Sequence, residues 1–232
     1  MGRKKSQSKN SKIRHLITKL NPKSPVSEQF RTVRTNIQYA SVDSELKTIL
    51  VTSSGPEEGK SSSAANLAVV YAQQGKKVLL VDADMRKPTV HYTFRLDNLT
   101  GLSNLLVGDS SIQQAVNETD VENLDVISCG PIPPNPSELL GSKKMEQMIN
   151  EASMTYDIIL FDTPPVLAVT DAQILANLSD GSLLVVRSKQ TEYETAQKAL
   201  EVLQSAQAKL LGSILNDVEK KKNNYYYYYG VN

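Results

Sequence analysis

The sequence reads Ser54-Gly55-Pro56-Glu57-Glu58-Gly59-Lys60-Ser61 between an apolar run at 49–51 and an Ala-rich stretch that is typical of a helix. A strand, a turn ending in Gly-Lys-Ser and then a helix form the context in which a P-loop binds phosphate. The strict pattern begins with Gly, whereas this stretch begins with Ser54 and has Gly55 one residue later. An ordinary strand–helix turn is the alternative, and the ending Gly-Lys-Ser-Ser favours the phosphate site.

Each part of this loop has a chemical reason to bind a nucleoside triphosphate. Gly59 lets the backbone approach phosphate oxygens, and the N–H groups of the turn point at the anion with the helix dipole behind them. Lys60 reaches the β- and γ-phosphates, and the Ser61 hydroxyl is a ligand for Mg²⁺. The candidate nucleotide-binding residues of the loop are Gly55, Pro56, Glu57, Glu58, Gly59, Lys60, Ser61 and Ser62.

Short apolar runs without polar alternation recur along the chain, as in strands that are buried on both faces of a parallel sheet. They cover residues 49–51, 78–81, 158–161, 183–186 and 210–215, with 124–127 as a further candidate. Helix-like stretches separate them at 61–74, 137–153, 171–178 and 191–207, and the last begins with a capping-box spacing of Thr191 and Glu194. This alternation predicts an α/β fold with a doubly wound, mostly parallel sheet.

Acidic residues follow two of these runs directly. Asp82 and Asp84 come after the run at 78–81, and Asp162 comes after the run at 158–161. Because ligands bind beyond the carboxyl ends of the strands in such sheets, all three should stand at the rim that carries the P-loop. Asp162, with Ser61, suits an Mg²⁺ site. Asp82 and Asp84 are both candidates for the base that accepts the proton of an incoming hydroxyl group, and we favour Asp82, with Asp84 beside the metal. For a single Asp, capping of the next helix is the alternative.

The two ends of the chain differ from the body in composition. Residues 1–27 contain eight basic and no acidic residues, whereas the remainder carries eighteen basic and 25 acidic residues. Residues 219–232 combine a lysine run with five consecutive tyrosines. Neither end has the apolar content to bury itself. We therefore predict a flexible basic arm at 1–23, a P-loop domain at 24–218 and a disordered tyrosine-rich tail at 219–232.

Two further features bear on the environment of the protein. The only cysteine, Cys129, excludes an internal disulfide, which fits a reducing cytosol, and its usual role is that of a small apolar residue. No apolar run approaches the roughly 20 residues that span a bilayer. The sequence therefore favours a cytoplasmic protein.

A first helix is predicted over 25–40, with Ser24 as its cap and Pro25 at its first position. Its apolar residues recur at spacings of four and three, which places them on one stripe. Glu28 and Arg31 fall on the opposite side, and Arg34 lies at its flank. This helix therefore has one face for the core and one charged face.

Together these motifs resemble the bacterial tyrosine kinases, or BY-kinases, of capsule and exopolysaccharide synthesis, within the deviant-Walker ATPase superfamily. The resemblance covers the chain from about Ser27 to the end. Within the family, the chain closely resembles the separate cytoplasmic kinase subunits of Gram-positive bacteria. It rests on the loop at 54–61, Asp82-x-Asp84-x-Arg86, Asp162-x-x-Pro165, the stretch 131–140, and Glu28-x-x-Arg31-x-x-Arg34. It also rests on the cluster Tyr225, Tyr226, Tyr227, Tyr228 and Tyr229.

The resemblance implies an activity and partners that composition does not show. ATP with Mg²⁺ would be the donor, and the tail tyrosines of a neighbouring subunit in a homo-oligomeric ring would be the acceptors. Glu28, Arg31 and Arg34 would contact that neighbour, and Asn216 would read the adenine base. A transmembrane modulator would activate the kinase at the inner face of the membrane, and a tyrosine phosphatase would reset it. Other protein substrates fit as well, and no nucleic-acid partner is expected.

Two other readings of the sequence stay open. One is a positioning ATPase of the ParA/MinD type, which shares the fold. Such proteins usually begin the P-loop with Lys-Gly-Gly, whereas the equivalent stretch here is Thr52-Ser53-Ser54-Gly55, without lysine. The other is an ATP-binding assembly scaffold in which catalysis is incidental.

Overall fold

The computed structural model describes residues 16–40 and 46–219, so the tyrosine cluster and residues 1–15 of the basic arm lie outside it. Within these ranges a sheet of seven strands has the order β3-β4-β2-β5-β1-β6-β7. β3 pairs antiparallel with β4, and every other neighbouring pair is parallel. The strands are β1 Thr48–Ser53, β2 Val78–Asp82, β3 Val116–Glu118, β4 Leu124–Ile127, β5 Ile158–Asp162, β6 Gly181–Arg187 and β7 Leu210–Asn216.

Helices cover both faces of this sheet, as a doubly wound α/β fold requires. They are α1 Ile17–Leu20, α2 Pro25–Tyr39, α3 Lys60–Ala72, α4 Val90–Phe94, α5 Leu102–Val107, α6 Ile112–Ala115, α7 Pro136–Leu140, α8 Lys143–Ser153, α9 Asp171–Asn177 and α10 Tyr193–Ser205. The predicted α/β class and mostly parallel sheet are confirmed. None of the helices in the described ranges is both long and apolar enough to cross a bilayer.

The alternation of side chains along the strands builds two separate cores. In β1, Ile49 and Val51 face the layer of α2, α3 and α4, whereas Leu50 faces the layer of α5 to α10. Every residue of β1, β2 and β5 is buried, which explains why these strands read as continuous apolar runs. Cys129 lies in the second core as a buried apolar residue.

Adjacent strand ends bring the candidate motifs together. β1 lies between β5 and β6 in the sheet, and β5 also pairs with β2. The loop after β1 and the acids at the ends of β2 and β5 therefore share one rim. Asp82 is the register partner of Asp162.

The predicted first helix is confirmed, with a boundary at Tyr39 instead of residue 40. Ser24 is its N-cap, and the Ser24 hydroxyl accepts a hydrogen bond from the N–H of Ser27. Ile37 is buried, and Phe30 and Val33 pack against the same core. The predicted apolar stripe is therefore the face that meets the domain.

Two helix predictions are wrong in detail. The helix predicted over 137–153 is two helices, because α7 ends at Leu140 with Gly141 as its C-cap, and the Ser142 side chain caps α8 by accepting from the N–H of Met145. The capping box predicted for Thr191 and Glu194 does not form. α10 begins after Glu192, and the Thr191 hydroxyl accepts from the N–H of Arg187 instead.

The prediction of a flexible arm over 1–23 is wrong for its last residues. Leu16 is buried, Ile17–Leu20 is helical, and Thr18 is fully buried beside α3. The N–H and hydroxyl groups of Thr18 both donate to the side-chain oxygen of Asn66, at 3.0 and 2.8 Å. Hydrogen bonding to a buried Asn is a tertiary interaction that the composition of the arm does not reveal. The ordered domain therefore includes Leu16 and the residues of α1.

Candidate active site

The loop between β1 and α3 turns sharply around two residues with positive φ. Glu57 has φ 62° and Gly59 has φ 95°, a region in which side chains are disfavoured. A Cβ atom on Gly59 would lie 2.1 Å from Nδ2 of Asn216. Glycine is therefore required at 59 both for its backbone conformation and for the close approach of Asn216. The loop opens onto the N-terminus of α3, where an anion is favoured.

Lys60 joins the loop to two of the predicted carboxylates. Its Nζ lies 2.8 Å from Oδ2 of Asp84 and 3.4 Å from Oδ1 of Asp162. Burial on its own would lower the pKa of Lys60, but the charges of Asp162 and Asp84 outweigh it and hold the pKa above its ordinary value. Nζ also lies 3.3 Å from the Ser61 hydroxyl. The structure thus brings together the four residues Lys60, Ser61, Asp84 and Asp162.

Asp82 is fully buried behind this cluster. Its Oδ2 accepts hydrogen bonds of 2.9 Å from the N–H groups of Thr89 and Val90, at the start of α4. Burial and then the nearby charge of Asp162 raise the pKa of Asp82 far above that of an ordinary aspartate. Its Oδ1 accepts no hydrogen bond from the described residues. This oxygen therefore keeps an unused acceptor position inside the protein.

The donors at this rim fit magnesium held together with phosphate. Within the described residues no cluster of three or more His, Cys, Asp and Glu side chains could hold a metal ion by itself. Ser61 and the two carboxylates beside Lys60 supply only oxygen atoms, which are the ligands that Mg²⁺ prefers. Mg²⁺ keeps several waters and usually binds through one or two carboxylates and the phosphates of a substrate. The set therefore fits a metal that arrives with a nucleotide.

The remaining loop residues take different positions. Pro56 and Glu57 are exposed, and Ser62 is half-buried in the first turn of α3. Glu58 is buried and turns its carboxylate inward, where it accepts from the N–H groups of Ser54 and Gly55. Asn216, at the end of β7, donates from Nδ2 to the carbonyl oxygen of Glu58 at 2.9 Å. Gly55 and Glu58 are thus joined by a hydrogen bond within the loop, and Asn216 lies beside the loop.

An ion pair between an exposed arginine and a buried aspartate next to the site could not be predicted from the sequence. Arg86 donates from Nε and Nη2 to the two carboxylate oxygens of Asp171, at 2.9 and 3.0 Å. The hydroxyl of Ser137 donates to the same carboxylate at 2.8 Å. This contact ties the loop after β2 to α7 and α9. Arg86 belongs to one of the motifs found in the sequence. Its partner Asp171 lies 85 residues away, where the sequence shows only an acidic residue at the start of a helix.

Replacing Asp171 with Asn is expected to lower the free energy of unfolding by about 2 kcal/mol, because charge-assisted hydrogen bonds from Arg86 are lost. For a domain of this size the Tm falls by roughly 4–8 °C. Thermal unfolding monitored by circular dichroism measures the change. The exposed Asp109→Asn serves as the matched control and should shift the Tm by about 1 °C or less. Equal Tm values for both variants would mean that the Arg86 pair contributes nothing.

The charged residues of α2 do not all face solvent. Glu28 is exposed, and Arg31 pairs with it from the next turn. Arg34 instead donates from Nη1 to the carbonyl oxygen of Val70 in α3, at 2.7 Å. Two of the three residues predicted to contact a neighbouring subunit therefore lie on the open side of α2, and Arg34 is bound within its own chain.

Comparison with known proteins agrees with this site. Residues 46–216 match the family model described as an AAA domain. Over 203 residues the chain is 57% identical to the tyrosine-protein kinase YwqD of Bacillus subtilis (strain 168), covering 88% of this chain and 86% of that protein. It is 45% identical over 208 residues to CapB of Staphylococcus aureus, covering 90% of this chain and 91% of that protein.

Solved structures separate the kinase from the positioning ATPase. The chimerical protein CapA2B2 superposes with a TM-score of 0.86 at 47% identity, covering 88% of this chain and 90% of that one. The septum site-determining protein MinD of Pyrococcus horikoshii OT3, solved with Mg-ADP, gives a TM-score of 0.62 at 26% identity, covering 73% and 69%. MinD shares the fold, but the likeness to the kinases is greater in both sequence and structure. The chain belongs to the bacterial tyrosine kinase family and is a tyrosine-protein kinase with a P-loop ATPase fold.

Proposed function

We propose that this kinase transfers the γ-phosphate of Mg-ATP to the tyrosines of its own cluster, Tyr225 to Tyr229, in a neighbouring subunit. The observation that carries the proposal is the arrangement of Lys60, Asp84 and Asp162 around one point, with Asp82 directly behind it. A P-loop lysine, metal-binding carboxylates and a separate base are the parts that phosphoryl transfer to a hydroxyl group needs.

Binding of Mg-ATP changes the partners of Lys60. In the described structure its ammonium group is neutralised by Asp84 and Asp162. With phosphates in the loop, Lys60 would bind the β- and γ-phosphates, and Asp84, Asp162 and the Ser61 hydroxyl would hold the metal. Mg²⁺, when bound, supplies neutralisation of the negative charge on the transferring group. The Mg-ADP complex of MinD supports the same use of this fold.

Asp82 takes the proton of the attacking phenol. Its Oδ2 is held by the N–H groups of Thr89 and Val90, which fixes the carboxylate plane and leaves Oδ1 without a hydrogen bond from the described residues. Burial raises the pKa of Asp82 to about 8, so its ionised form has a high affinity for the phenol proton and becomes populated as the pH rises toward 8. Asp84 forms an ion pair with Nζ of Lys60 at 2.8 Å. We therefore assign Asp84 to metal binding and Asp82 to the phenol proton.

Asn216 contacts the adenine base in this proposal. Its position at the end of β7, next to Gly59 and Glu58, places its amide group beside the phosphate loop. One of its amide hydrogens is used by the carbonyl of Glu58, which orients the side chain. The other hydrogen and the oxygen can pair with a base edge.

The kinase works as a ring that is controlled at the membrane. Glu28 and Arg31 on the open side of α2 support contacts between subunits, with Arg34 at their edge. The name of the chimera CapA2B2 joins CapB to a second protein, which supports a modulator partner that brings the kinase to the inner face of the membrane. A tyrosine phosphatase reverses the modification. The regulated process is capsule or exopolysaccharide synthesis, and other proteins are further substrates.

Changing Tyr225 to Tyr229 together to Phe is expected to remove at least about nine-tenths of the phosphate incorporated from Mg-ATP, since Phe lacks the acceptor oxygen. Mass spectrometry after incubation with a modulator segment measures the incorporation. The matched control changes three exposed tyrosines of the body, Tyr39, Tyr92 and Tyr193, to Phe and should retain it. Phosphate that moves to the body, or stays unchanged in the tail variant, would overturn the tail assignment.

The scaffold reading makes a different prediction for the same variant. A scaffold needs bound ATP and assembly, but it needs no phenol oxygen in the tail. Polysaccharide output should therefore be normal in the Phe variant if the protein is a scaffold and altered if phosphorylation regulates the process.

A further inference from the structure

A buried carboxylate lies inside the phosphate loop and cannot itself bind phosphate, because both groups are anions. Glu58 is only 5% exposed. Its Oε2 accepts hydrogen bonds from the N–H groups of Ser54 and Gly55, at 2.8 and 3.1 Å, and the Ser54 hydroxyl donates to it at 2.8 Å. The carboxylate thus closes the end of the loop onto its beginning.

The same carboxylate is attached to a distant part of the chain. The Thr191 hydroxyl, in the connection between β6 and α10, donates to Oε1 of Glu58 at 2.5 Å. That hydroxyl in turn accepts from the N–H of Arg187 at 2.9 Å, at the end of β6. Both hydrogen-bonding roles of the hydroxyl are therefore used. Thr191 ties the phosphate loop to the end of the neighbouring strand.

The backbone around Glu58 explains why such an attachment is needed. The residues on either side, Glu57 and Gly59, both have positive φ. A residue with a Cβ atom in this region is strained, and strain of this kind persists only where the surroundings hold it. Two sets of hydrogen bonds stabilise this conformation. Ser54 and Thr191 donate to the Glu58 carboxylate, and Asn216 donates to the Glu58 carbonyl oxygen.

We propose that Glu58 and Thr191 are positioning residues for ATP, which hold the loop in its phosphate-binding shape before the nucleotide arrives. The N–H groups of Ser54 and Gly55 are committed to Glu58, so the phosphates are left to the later part of the loop, from Gly59 to Ser62. Preorganisation of this kind strengthens binding, because the nucleotide need not order the loop. The proposal rests on the proposed ATP site, gives Glu58 a specific role in it and adds Thr191.

The test measures the Kd of Mg-ATP by isothermal titration calorimetry in the whole chain, with wild type as reference. Thr191→Val removes the hydroxyl and should weaken binding about tenfold, the size expected for one charge-assisted hydrogen bond. Thr191→Ser keeps the hydroxyl and should restore binding to within about threefold of wild type. In the activated kinase, the KM for ATP should rise by a similar factor while kcat changes by less than about threefold.

A second variant checks the same contact from the other side. Glu58→Gln keeps the shape but loses the charge, and it should also weaken binding about tenfold. Adding Thr191→Val to it should weaken binding by less than the product of the two single effects, because both act through one contact. Glu194→Gln, an exposed change three residues from Thr191, is the control and should leave the Kd unchanged.

Three results would overturn the proposal. Unchanged Kd values in Thr191→Val and in Glu58→Gln would show that the contact between these residues has no role in binding. Tighter binding by Glu58→Gln would show that the carboxylate competes with phosphate instead of positioning the loop. Failure of Thr191→Ser to restore binding would show that the hydroxyl is irrelevant. If wild type itself does not bind Mg-ATP, the proposed function fails first, which distinguishes the two.

Discussion

Lys60→Met is expected to reduce phosphate transfer from ATP by about a thousandfold or more, because the one cation in the phosphate loop is lost. A second effect follows from the ion pairs of Lys60. Asp84 and Asp162 are 6% and 0% exposed, and without the ammonium group both buried carboxylates lose the positive charge that they share. The free energy of unfolding without nucleotide should therefore fall by about 3 kcal/mol.

The two effects of Lys60→Met are measured separately. Phosphotyrosine formation is followed by mass spectrometry, and stability by urea unfolding of the nucleotide-free protein. The exposed Lys198→Met is the matched control and should leave both quantities at the wild-type value. Normal phosphate transfer by a folded Lys60→Met protein would mean that the loop at 54–61 does not bind the γ-phosphate of ATP.

Asp82→Asn is expected to lower kcat by about a hundredfold to ten-thousandfold, which is the usual contribution of general base catalysis. The fold should tolerate the change, because the amide oxygen can still accept from the N–H groups of Thr89 and Val90. Because burial and the charge of Asp162 raise the pKa of Asp82, a neutral amide suits this position at least as well as the carboxyl group, so the Tm should not fall. The KM for ATP should stay within about threefold of wild type, since Asp82 lies behind the phosphate site.

Comparison with Asp84→Asn assigns the base. Asp84 is 2.8 Å from Lys60 and is the better metal ligand, so its loss should raise the Mg²⁺ concentration that the reaction needs. Steady-state kinetics at varied ATP and Mg²⁺ separate the two carboxylates, with Asp109→Asn as the control. If Asp82→Asn keeps its kcat, and Asp84→Asn loses it at every Mg²⁺ concentration, the two roles are reversed.

The sheet and the phosphate loop could be predicted because their signals are local. Strands buried on both faces leave continuous apolar runs, and all six runs proposed from the sequence are strands. The loop motif follows β1 directly, and the rule that ligands bind at the carboxyl ends of parallel strands places Asp82, Asp84 and Asp162 nearby. Lys60 indeed contacts two of these carboxylates.

Short elements escaped prediction because they contain too few residues to show a period. β3 has three residues, and α4 and α6 have five and four. The break between α7 and α8 was missed, although Gly141 and Ser142 are an ordinary helix stop and start. The order of α1 depends on the bond between Thr18 and Asn66, which are 48 residues apart.

By itself, the sequence determined the α/β class, the phosphate loop and the identity of the acidic residues at the strand ends, because each of these follows from residues that are neighbours along the chain. The tertiary structure alone decided that Glu58 turns inward to meet Thr191, 133 residues away, and that Arg86 finds Asp171. It also decided that Lys60 is held between two carboxylates. Such contacts depend on which strands lie side by side, and hydrogen bonds between distant loops leave no periodic signal in a single sequence.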